Sequence, residues 1–383
     1  HAQMLQPRAG ASAARPLQGL RIGLPKEYFA EGMSKDVESA IEKALDEFEQ
    51  KSSPQIVQEL IKKQVKLASD KALEYGITSF QDAGTSLEKI RILHELSKNG
   101  EIPIRLNVML YENPAAALEK MDSLPLISYD QSMFRATSVK AYMDGALGSY
   151  GAWLWEDYAD NPGVKGQTLV PIEMITKIAD KAKSLGFQMC VHAIGDRGNH
   201  EVLNVFEKTG IGPQNRWRIE HAQHLLRADI PRFSSLGVIA SMQAIHCTSD
   251  APFVVKRLGQ ERAKSSSYIW RSLLDAGVKF ANGTDAPVEK INPFECMYAA
   301  ITRKRLDNGM EFFPEEKMTR TEALKSYTLW NAFASFEESI KGSLEPGKKA
   351  DFIVLDRNLL ECPDQEVPLT KVLSVYLDGE KIR

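Results

Sequence analysis

Short apolar runs alternate with stretches of helical periodicity along most of this 383-residue chain. The apolar runs predict seven strands: Ile77–Gly84, Ile104–Leu110, Ala136–Gly145, Phe187–His192, Arg216–His221, Val238–Gln243 and Val278–Asp285. Helices are predicted between them, and the strands are apolar on both faces, which is typical of a parallel sheet. Seven successive strand-helix units favour an α/β fold, a (β/α)8 TIM-type barrel in which one strand is missing or replaced.

The two ends of the chain depart from this pattern. The start, to about Pro16, is predicted to be mobile. It is followed by a short predicted strand over Leu20–Pro25, then by a helix capped by Ser34 and a second helix over Pro54–Tyr75. Near the other end, "ADFIVLD" and "KVLSVYLDG" predict strands of a small sheet outside the barrel. The predicted divisions are an N-terminal segment (1–52), the barrel (53–335) and the small sheet portion (336–383).

Composition and charge narrow the range of partners. Hydrophobic residues make up 43% of the chain and charged residues 26%, which is ordinary for a soluble globular protein of enzyme size. The formal net charge of −3 argues against nucleic acid or an anionic membrane as the main partner, and no apolar run approaches the roughly 20 residues that span a bilayer. The four cysteines form no CxxC pair and the first residues lack the apolar segment of a secretory signal, which predicts a cytoplasmic protein. We expect a small-molecule substrate and leave homo-oligomerisation open.

Side chains able to bind a metal or carry protons stand at the ends of several predicted strands or just beyond them. They are Lys140, Asp144, His192, His221, Gln243, His246 and Asp285. The functional groups of a barrel collect at the C-terminal ends of its strands, where neighbouring strands lie about 5 Å apart. His192 and His221 can therefore share one ion. Trp153 and Trp155, in the long loop after the Lys140 strand, could line an apolar pocket or serve as packing anchors.

Each of these residues also has a purely structural explanation. Lys140 could pair with the aspartate four positions on, His221 could bond a backbone carbonyl, and Asp285 could cap the helix that follows it. Two further histidines, His200 and His224, are expected on solvated helices without a role in the site.

Together, however, the matching strand ends favour a metal-centred site. Two neutral imidazoles with a carboxylate suit Zn²⁺ or a similar divalent ion, and they leave positions open for water and substrate. Such an ion lowers the pKa of bound water toward about 7, and Asp285 could then take the proton during attack.

Six stretches of the chain resemble the amidohydrolase superfamily and, within it, the YtcJ-like metal-dependent amidohydrolases. They are "VKAYMDGALGSYGAWLWEDYAD", "VHAIGDRGNHEVLNVFE", "RWRIEHAQHL", "SMQAIHCTSD", "NGTDAPVEKINPFECMYAAITR" and "GSLEPGKKADFIVLD". The resemblance covers about Ser53 to Arg383. It implies a (β/α)8 barrel with a small β-sandwich at the chain ends, and hydrolysis of C–N bonds in amide- or formamide-like compounds.

The resemblance also implies roles for individual residues. Lys140 corresponds to a lysine that is carboxylated to bind metal, His192 and His221 to ligands of one or two ions, and Asp285 to the catalytic aspartate. An N-carboxylate offers oxygens to a cation, and burial lowers the lysine pKa enough for the neutral amine to react with CO₂. The residues predicted on the substrate side are His246, Gln243, Asp144 and Trp153.

The sequence also departs from this family. The family places a His-x-His pair at the end of its first barrel strand, and no two of the seven histidines stand in that relation: His1, His94, His192, His200, His221, His224 and His246. The first hypothesis is therefore a metal-dependent amidohydrolase with a reduced site. The second is a catalytically silent barrel, because the loss of two imidazoles should weaken metal binding.

A different resemblance lies near the N-terminus. Leu17–Gln50 resembles a segment of the amidase-signature proteins, above all one of the subunits of the glutamyl-tRNA amidotransferase, without that family's Ser-Ser-Lys apparatus. The third hypothesis treats this segment as an interaction module. Its strand, Leu20–Leu24, could also enter the gap between the strands Ile77–Asp82 and Val278–Thr284, because an unpaired edge inside a barrel is costly.

Overall fold

The apolar runs form seven parallel strands, β1 to β7, that pair side by side in chain order. They are Ser79–Thr85, Arg105–Leu110, Phe134–Tyr142, Gln188–Ala193, Arg218–His221, Ile239–Met242 and Phe280–Asn282. Each strand overlaps one of the seven predicted runs, which confirms the parallel sheet. The computed structural model of the chain describes residues 54–126 and 133–383. The predictions for the first 53 residues, including the placement of Leu20–Leu24, lie outside the described residues.

One edge of the sheet is less deeply buried than its middle. Every residue of β4, β5 and β6 is buried, whereas the edge strand β1 is half-buried or exposed along its length. The other edge is β7, and residues of both edges line one cavity of about 820 Å³. The described strands therefore curl back on themselves, as seven strands of a TIM-like barrel would, and within residues 54–126 and 133–383 the gap between the two edge strands opens into the interior.

Helices α1 to α12 surround this sheet. They are Pro54–Glu74, Leu87–Lys98, Pro114–Lys120, Ile172–Ser184, Asp196–Thr209, Ile230–Leu236, Ala244–Leu258, Gln260–Ser266, Trp270–Asp275, Pro293–Thr302, Arg320–Tyr327 and Leu329–Ala334. Short 3₁₀ helices cover Met121–Leu126, Pro213–Asn215, Arg227–Asp229, Pro314–Glu316 and Asp364–Leu369. Within the described part of the chain, no helix has both the length and the apolar character to cross a bilayer.

Local sequence sets where these helices begin and end. The Ser86 side chain accepts a hydrogen bond from the backbone N–H of Lys89 at the start of α2, and Thr319 and Glu322 cap α11 reciprocally. Helix α5 ends at Thr209 and is capped by Gly210, whose φ of 70° suits glycine. The predicted helix over Pro54–Tyr75 is confirmed by α1.

Helix α12 closes one end of the barrel. The carbonyls at a helix C-terminus lack partners within the helix and carry partial negative charge. Here side chains from four parts of the sheet donate to the backbone of this segment: Gln81 to Asn331 O, Arg216 to Phe333 O, Gln188 to Ala334 O and Arg135 to Ser335 O. Two of the four donors are cationic, which matches the sign of the helix dipole.

The side chain of Asn331 also pairs with the edge of β7. Its amide oxygen accepts from the N–H of Asn282 at 3.2 Å, and its amide nitrogen donates to the carbonyl of the same residue at 2.9 Å. A neighbouring strand would make the same two bonds. Asn331 therefore satisfies the backbone of this edge strand at one position.

A second, antiparallel sheet is formed near the end of the chain by β8 (Phe352–Leu355), β9 (Val372–Leu377) and β10 (Glu380–Lys381), in the order β10-β9-β8. Arg105, buried at the start of β2, donates to both carboxylate oxygens of Asp351 at 2.6 and 2.9 Å. It also lies 3.0 Å from the carboxylate of Asp378. The strands described here form a single three-stranded sheet, so the predicted β-sandwich stays a prediction.

Two strand ends differ from the prediction. The run Val278–Asp285 contributes only Phe280–Asn282 to the sheet, and the φ of Asp285 is 54°, which a strand does not allow. Gln243 does not end β6 but immediately precedes α7, which begins at Ala244 where the sequence pattern predicts a loop.

Candidate metal and catalytic site

The three residues predicted to bind metal stand on neighbouring strands. Across the pair β3–β4, Lys140 is opposite Cys190 and Tyr142 is opposite His192. Across β4–β5, His221 is opposite Ala193. The parallel register therefore places His192 and His221 at the same end of the sheet, with Lys140 two residues before it.

His192 and His221 are adjacent imidazoles. Their ring centroids lie 4.5 Å apart at an interplanar angle of 68°, and both side chains are buried. Burial lowers the pKa of each, so both rings are neutral at neutral pH. The Nε2 atom of His192 is buried, lies 3.7 Å from the Asp144 carboxylate and has no hydrogen-bond partner among the residues that the structure describes. The neutral ring with a free nitrogen is the form that binds a metal.

Lys140 belongs to the same site. Its Nζ lies 4.9 Å from the centroid of the Tyr142 ring, which is itself 4.9 Å from the His192 ring. Burial lowers the pKa of Lys140, although the negative charges of Glu220 and Asp285 oppose the shift. The direction matches the sequence-based expectation that the neutral amine becomes more accessible here.

A buried ion pair beneath the site escaped the sequence analysis. The Arg218 guanidinium donates to Glu220 at 2.7 Å and to the side-chain oxygen of Gln81 at 2.5 Å. Burial alone would raise the pKa of Glu220, but Arg218 and Lys140 lower it below its ordinary value. Glu220 is thus the carboxylate facing Lys140 inside the barrel. The sequence contained a signal for this ion pair, because the run "RWRIEH" has charged residues at alternate positions and alternate residues of a strand face the same side.

Asp285 and His246 complete the group. The Nε2 atom of His246 lies 3.9 Å from Oδ2 of Asp285, and the rings of His221 and His246 stack at 5.9 Å and 20°. One potential ligand atom from each of His221, His246 and Asp285 lies within 4.8 Å of the other two. Among the described residues this triad is a candidate cation site, and it combines residues that the sequence assigned to metal, substrate and catalysis.

The backbone of the site is strained. His221, Ala222 and Asp285 have φ values of 75°, 45° and 54°, in the left-handed region that residues with a Cβ rarely adopt. Such conformations cost about 1–3 kcal/mol each and concentrate at functional sites. The strain aims the side chains of His221 and Asp285 away from the directions that continued strands would give them.

Two glutamines hold the imidazoles. Gln243 Oε1 lies 2.8 Å from Nδ1 of His221, and Gln223 Nε2 lies 3.1 Å from Nδ1 of His246. Gln243, which the sequence placed on the substrate side, thus has a neighbouring imidazole as its partner. Its direct contact with substrate stays a prediction.

Asp144 is fully buried and holds loops together. Its carboxylate accepts hydrogen bonds from the backbone N–H groups of Trp153, Ile194 and Gly195 at 2.8, 2.9 and 2.8 Å. Burial raises the pKa of Asp144 to about 7, and the three N–H donors oppose that rise. These bonds tie the end of β4 to the long loop after β3. The substrate contact predicted for Asp144 stays a prediction.

Glycines permit this close approach. A Cβ on Gly195 would lie 2.1 Å from the carbonyl oxygen of Trp153, and one on Gly198 would lie 2.6 Å from Asp144 Oδ2. The Trp153 carbonyl accepts the N–H groups of Arg197 and Gly198. The "AIGD" turn that follows His192 therefore has glycine because the Trp153 backbone crosses it.

The two tryptophans of this loop stack with one arginine. The Arg197 guanidinium lies 4.3 Å from the Trp153 ring and 4.7 Å from the Trp155 ring. The Trp153 side chain is half-buried and Trp155 is exposed. This arrangement agrees with the packing alternative for both residues, and contact of Trp153 with substrate stays a prediction.

The expectation for His224 is wrong and that for His200 holds in part. His224 is fully buried in the segment after β5, where Nδ1 lies 3.0 Å from the Ser267 hydroxyl and Nε2 has no hydrogen-bond partner within the described ranges. His200 does lie on a helix, α5, but it is half-buried and contacts the Asp229 carboxylate at 2.9 Å. Neither belongs to the triad above.

The 820 Å³ cavity connects this site with the gap between the sheet edges. Its walls include site residues and the two edge strands: Tyr142, Glu220, Gln243, Asp285, Phe80, Gln81, Ala281 and Asn282. A small molecule could reach Asp285 and Gln243 through this space, because pockets of this volume hold drug-sized ligands.

Comparison with protein families identifies the relationship. A family model described as "Amidohydrolase family" matches residues 1–382. The chain belongs to the amidohydrolase family. This confirms the resemblance inferred from the six motifs, and with it the TIM-like α/β fold.

Individual relatives agree. The chain is 37% identical to Protein LONG AFTER FAR-RED 3 of Arabidopsis thaliana over 64% of this chain and 42% of that protein. It is 29% identical to putative amidohydrolase YtcJ of Bacillus subtilis over 76% of this chain and 54% of YtcJ. It is 26% identical to N-substituted formamide deformylase of Arthrobacter pascens over 80% of this chain and 57% of the deformylase. The chain thus spans about half the length of the curated relatives it matches.

A solved structure and a second, short match complete the comparison. An uncharacterized metal-dependent hydrolase from Pyrococcus horikoshii superposes with a TM-score of 0.71 at 31% identity, covering 80% of this chain and 62% of the hydrolase. Over 44 residues, 12% of this chain and 9% of the relative, the chain is 68% identical to a subunit of the glutamyl-tRNA(Gln) amidotransferase of Cupriavidus taiwanensis. The second resemblance is therefore confirmed as a relationship of sequence.

Proposed function

We propose that this chain is a metal-dependent hydrolase of C–N bonds in amide- or formamide-like compounds. The observation that carries the proposal is the convergence of His221, His246 and Asp285, whose ligand atoms lie within 4.8 Å of one another beside His192 and Lys140. The names of the deformylase relative and of the Pyrococcus neighbour support the reaction class.

The residues present fit a divalent cation. Among the described residues, Nε2 of His192 has no hydrogen-bond partner although it is buried, and burial lowers the pKa of both the His192 and His221 rings. Buried polar atoms normally have partners, so this unpaired nitrogen between neutral imidazoles indicates a missing one. Lys140, carboxylated on Nζ, would hold Zn²⁺ together with His192 and His221. When bound, such an ion acidifies water and polarises a carbonyl.

The side chains of this chain carry out the proton transfers of hydrolysis. Water adds to the carbonyl carbon, Asp285 takes the proton that the water loses, and the C–N bond breaks as Asp285 returns a proton to the leaving nitrogen. Asp285 faces the cavity, and its position 3.9 Å from His246 keeps the carboxylate beside the reacting groups. The products are a carboxylic acid and an amine.

Metal analysis and hydrolysis assays test the proposal. The full chain, purified without chelator, should carry a divalent metal by elemental analysis and hydrolyse N-substituted formamides or simple amides. Chelation should abolish the activity and added Zn²⁺ should restore it. A chain that holds no metal and gains no activity on any of these compounds with added Zn²⁺ would contradict the proposal. An anomalous-scattering map at the ends of β3, β4 and β5 would locate the ion.

The silent-barrel hypothesis is less favoured. It rests on the absent His-x-His pair, whereas the described residues supply an alternative cluster of ligand-type side chains. The interaction module proposed for Leu17–Gln50 lies outside the described residues. Deleting residues 2–50 tests it, since a partner interaction should be lost while the barrel stays folded.

A further inference from the structure

The imidazoles of His221 and His246 are held by two glutamines in a crossed arrangement. In the segment "HAQ", Gln223 follows His221 by two residues but contacts His246. In "QAIH", Gln243 precedes His246 by three residues but contacts His221. Each glutamine therefore supports the ring of the other segment, and the two contacts differ in which amide atom faces the ring.

Gln243 presents an oxygen to His221. Its amide nitrogen donates to the carbonyl of Ser241 at 3.4 Å, which directs Oε1 toward His221 Nδ1 at 2.8 Å. A carbonyl oxygen only accepts, so Nδ1 of the neutral His221 ring carries the proton. Its Nε2 atom consequently has a free lone pair.

Gln223 presents a nitrogen to His246. The amide N–H₂ group only donates, so Nδ1 of His246 accepts at 3.1 Å and the ring proton resides on Nε2. That Nε2 atom lies 3.9 Å from the Asp285 carboxylate, in a side chain more than nine-tenths buried, and no group in the described part of the chain forms a hydrogen bond with it. His246 therefore directs an unused N–H group into the site.

We propose that Gln243 and Gln223 fix opposite tautomers, so that His221 is a lone-pair donor to metal and His246 is a hydrogen-bond donor to the carbonyl oxygen of the substrate. This inference rests on the proposed hydrolase function. Gln223 and Gln243 are positioning residues, because they act through the rings that they hold. His246 is the catalytic residue of the pair.

These two roles, metal ligand for His221 and hydrogen-bond donor for His246, suit amide hydrolysis. Negative charge develops on the carbonyl oxygen as water adds, and a fixed N–H donor at that point stabilises it. A neutral ring can supply an N–H from Nε2 only if Nδ1 accepts elsewhere, and Gln223 provides that donor.

Nitrogen-15 NMR of the full chain, labelled at histidine and measured without metal near pH 7, reads the tautomers directly. His221 should carry its proton on Nδ1 and His246 on Nε2, with signals assigned by loss in His221→Asn and His246→Asn. A proton on Nδ1 of His246 would overturn the inference, because Nε2 would then carry a lone pair and could donate no hydrogen bond to the substrate.

Two glutamate variants form a matched pair. In Gln223→Glu the carboxylate can only accept, so the His246 proton should move to Nδ1, and kcat/KM should fall about 10²–10³-fold, as for loss of an oxyanion donor. In Gln243→Glu the acceptor remains, so the His221 tautomer should not change. A His246 ring that keeps its Nε2 proton in folded Gln223→Glu shows that Gln223 does not set the tautomer and contradicts the inference.

The two proposals fail separately. Opposite tautomers in a chain that binds no Zn²⁺ and hydrolyses nothing would reject the hydrolase function and leave the tautomer assignment standing. Metal-dependent hydrolysis by a chain in which His246 is protonated on Nδ1 would support the hydrolase function and reject the tautomer assignment. Zn²⁺ affinity should be unchanged in Gln223→Leu and fall about 10–100-fold in Gln243→Leu, because only the latter removes the support of a ligand.

Discussion

The imidazoles of His192 and His221 lie 4.5 Å apart on neighbouring parallel strands, although 28 residues and a whole helix separate them in the chain. The parallel register brings the ends of β4 and β5 to the same level, where it pairs His192 with Glu220 and Ala193 with His221. Successive residues of a strand face opposite sides of the sheet, so a regular strand would turn the His221 side chain away from His192. His221 has a left-handed φ of 75°, and the contact therefore depends on this local conformation as well as on strand order.

Replacing these histidines should remove metal. His192→Asn and His221→Asn are each expected to lower Zn²⁺ affinity by more than about 100-fold, because loss of a ligand costs more than the 10–100-fold typical of its supporting partner. Competition with a chromophoric chelator measures the affinity. His94→Asn is the control, since His94 lies on α2 against Phe134. Unchanged affinity in both variants would show that the predicted ligands are wrong.

Asp285→Asn should abolish proton transfer while preserving the fold. Loss of a general acid-base typically costs about 10²–10⁴-fold in kcat, and asparagine keeps the size of the side chain. The expected result is a folded protein with hydrolysis reduced in that range. Activity at the level of the unmodified chain would exclude Asp285 as the proton carrier.

The sequence predicted the barrel and most strand-end residues because apolar runs and their terminal polar residues are local features. Lys140 and His192 lie on the same face of neighbouring strands for that reason. His221 joins them with a left-handed φ of 75°, which the sequence pattern does not predict. The proximity of His246 to Asp285 was not predictable, because it depends on α7 beginning at Ala244 and on the left-handed φ of Asp285.

Other errors have equally specific causes. His224 was expected on a solvated helix, but the chain turns inward after β5 and buries the ring against Ser267. Glu220 was overlooked because its partner, Arg218, is two residues away in the same strand, and the pair is recognisable only once the interior face of that strand is known.

His224 should make stability depend on pH. Burial lowers its pKa to about 3 from an ordinary value of 6.5, so between these values the unfolded chain binds a proton that the folded chain does not. Stability is then complete above about pH 6.5 and falls as the pH decreases toward 3, by up to about 4 kcal/mol for this one group. Urea midpoints measured at several pH values should show the decline.

His224→Gln removes this titration. Its urea midpoint should fall less steeply between pH 6.5 and 4 than that of the unmodified chain, even if the variant is less stable at pH 7. Because the buried site histidines have lowered pKa values too, some slope should remain. Identical slopes in the two proteins would show that His224 does not contribute.

Arg105 should be a major stabiliser of the C-terminal sheet. Arg105→Ala leaves the buried Asp351 carboxylate without its bidentate partner, and breaking a buried ion pair from one side costs about 3–5 kcal/mol. Lys349→Ala is the matched control, because it breaks only the half-exposed pair with Asp378, which is worth less than about 1 kcal/mol. Equal losses in denaturant unfolding would contradict this ranking.

Gly195→Ala should disturb the site through the Trp153 backbone. The added Cβ would meet the Trp153 carbonyl oxygen at 2.1 Å, a distance that no rotamer change relieves because both atoms belong to the backbone framework. The loop must move, at a cost of about 1–3 kcal/mol for overpacking, and the Asp144 bonds that hold it should weaken with it. Gly283→Ala meets nothing within 4 Å and is the control. Gly195→Ala should have a clearly lower melting temperature than Gly283→Ala. Hydrogen exchange of the backbone amides at positions 153 and 195 should also be faster in Gly195→Ala. If Gly195→Ala is as stable as the control, the loop does not cross this glycine closely.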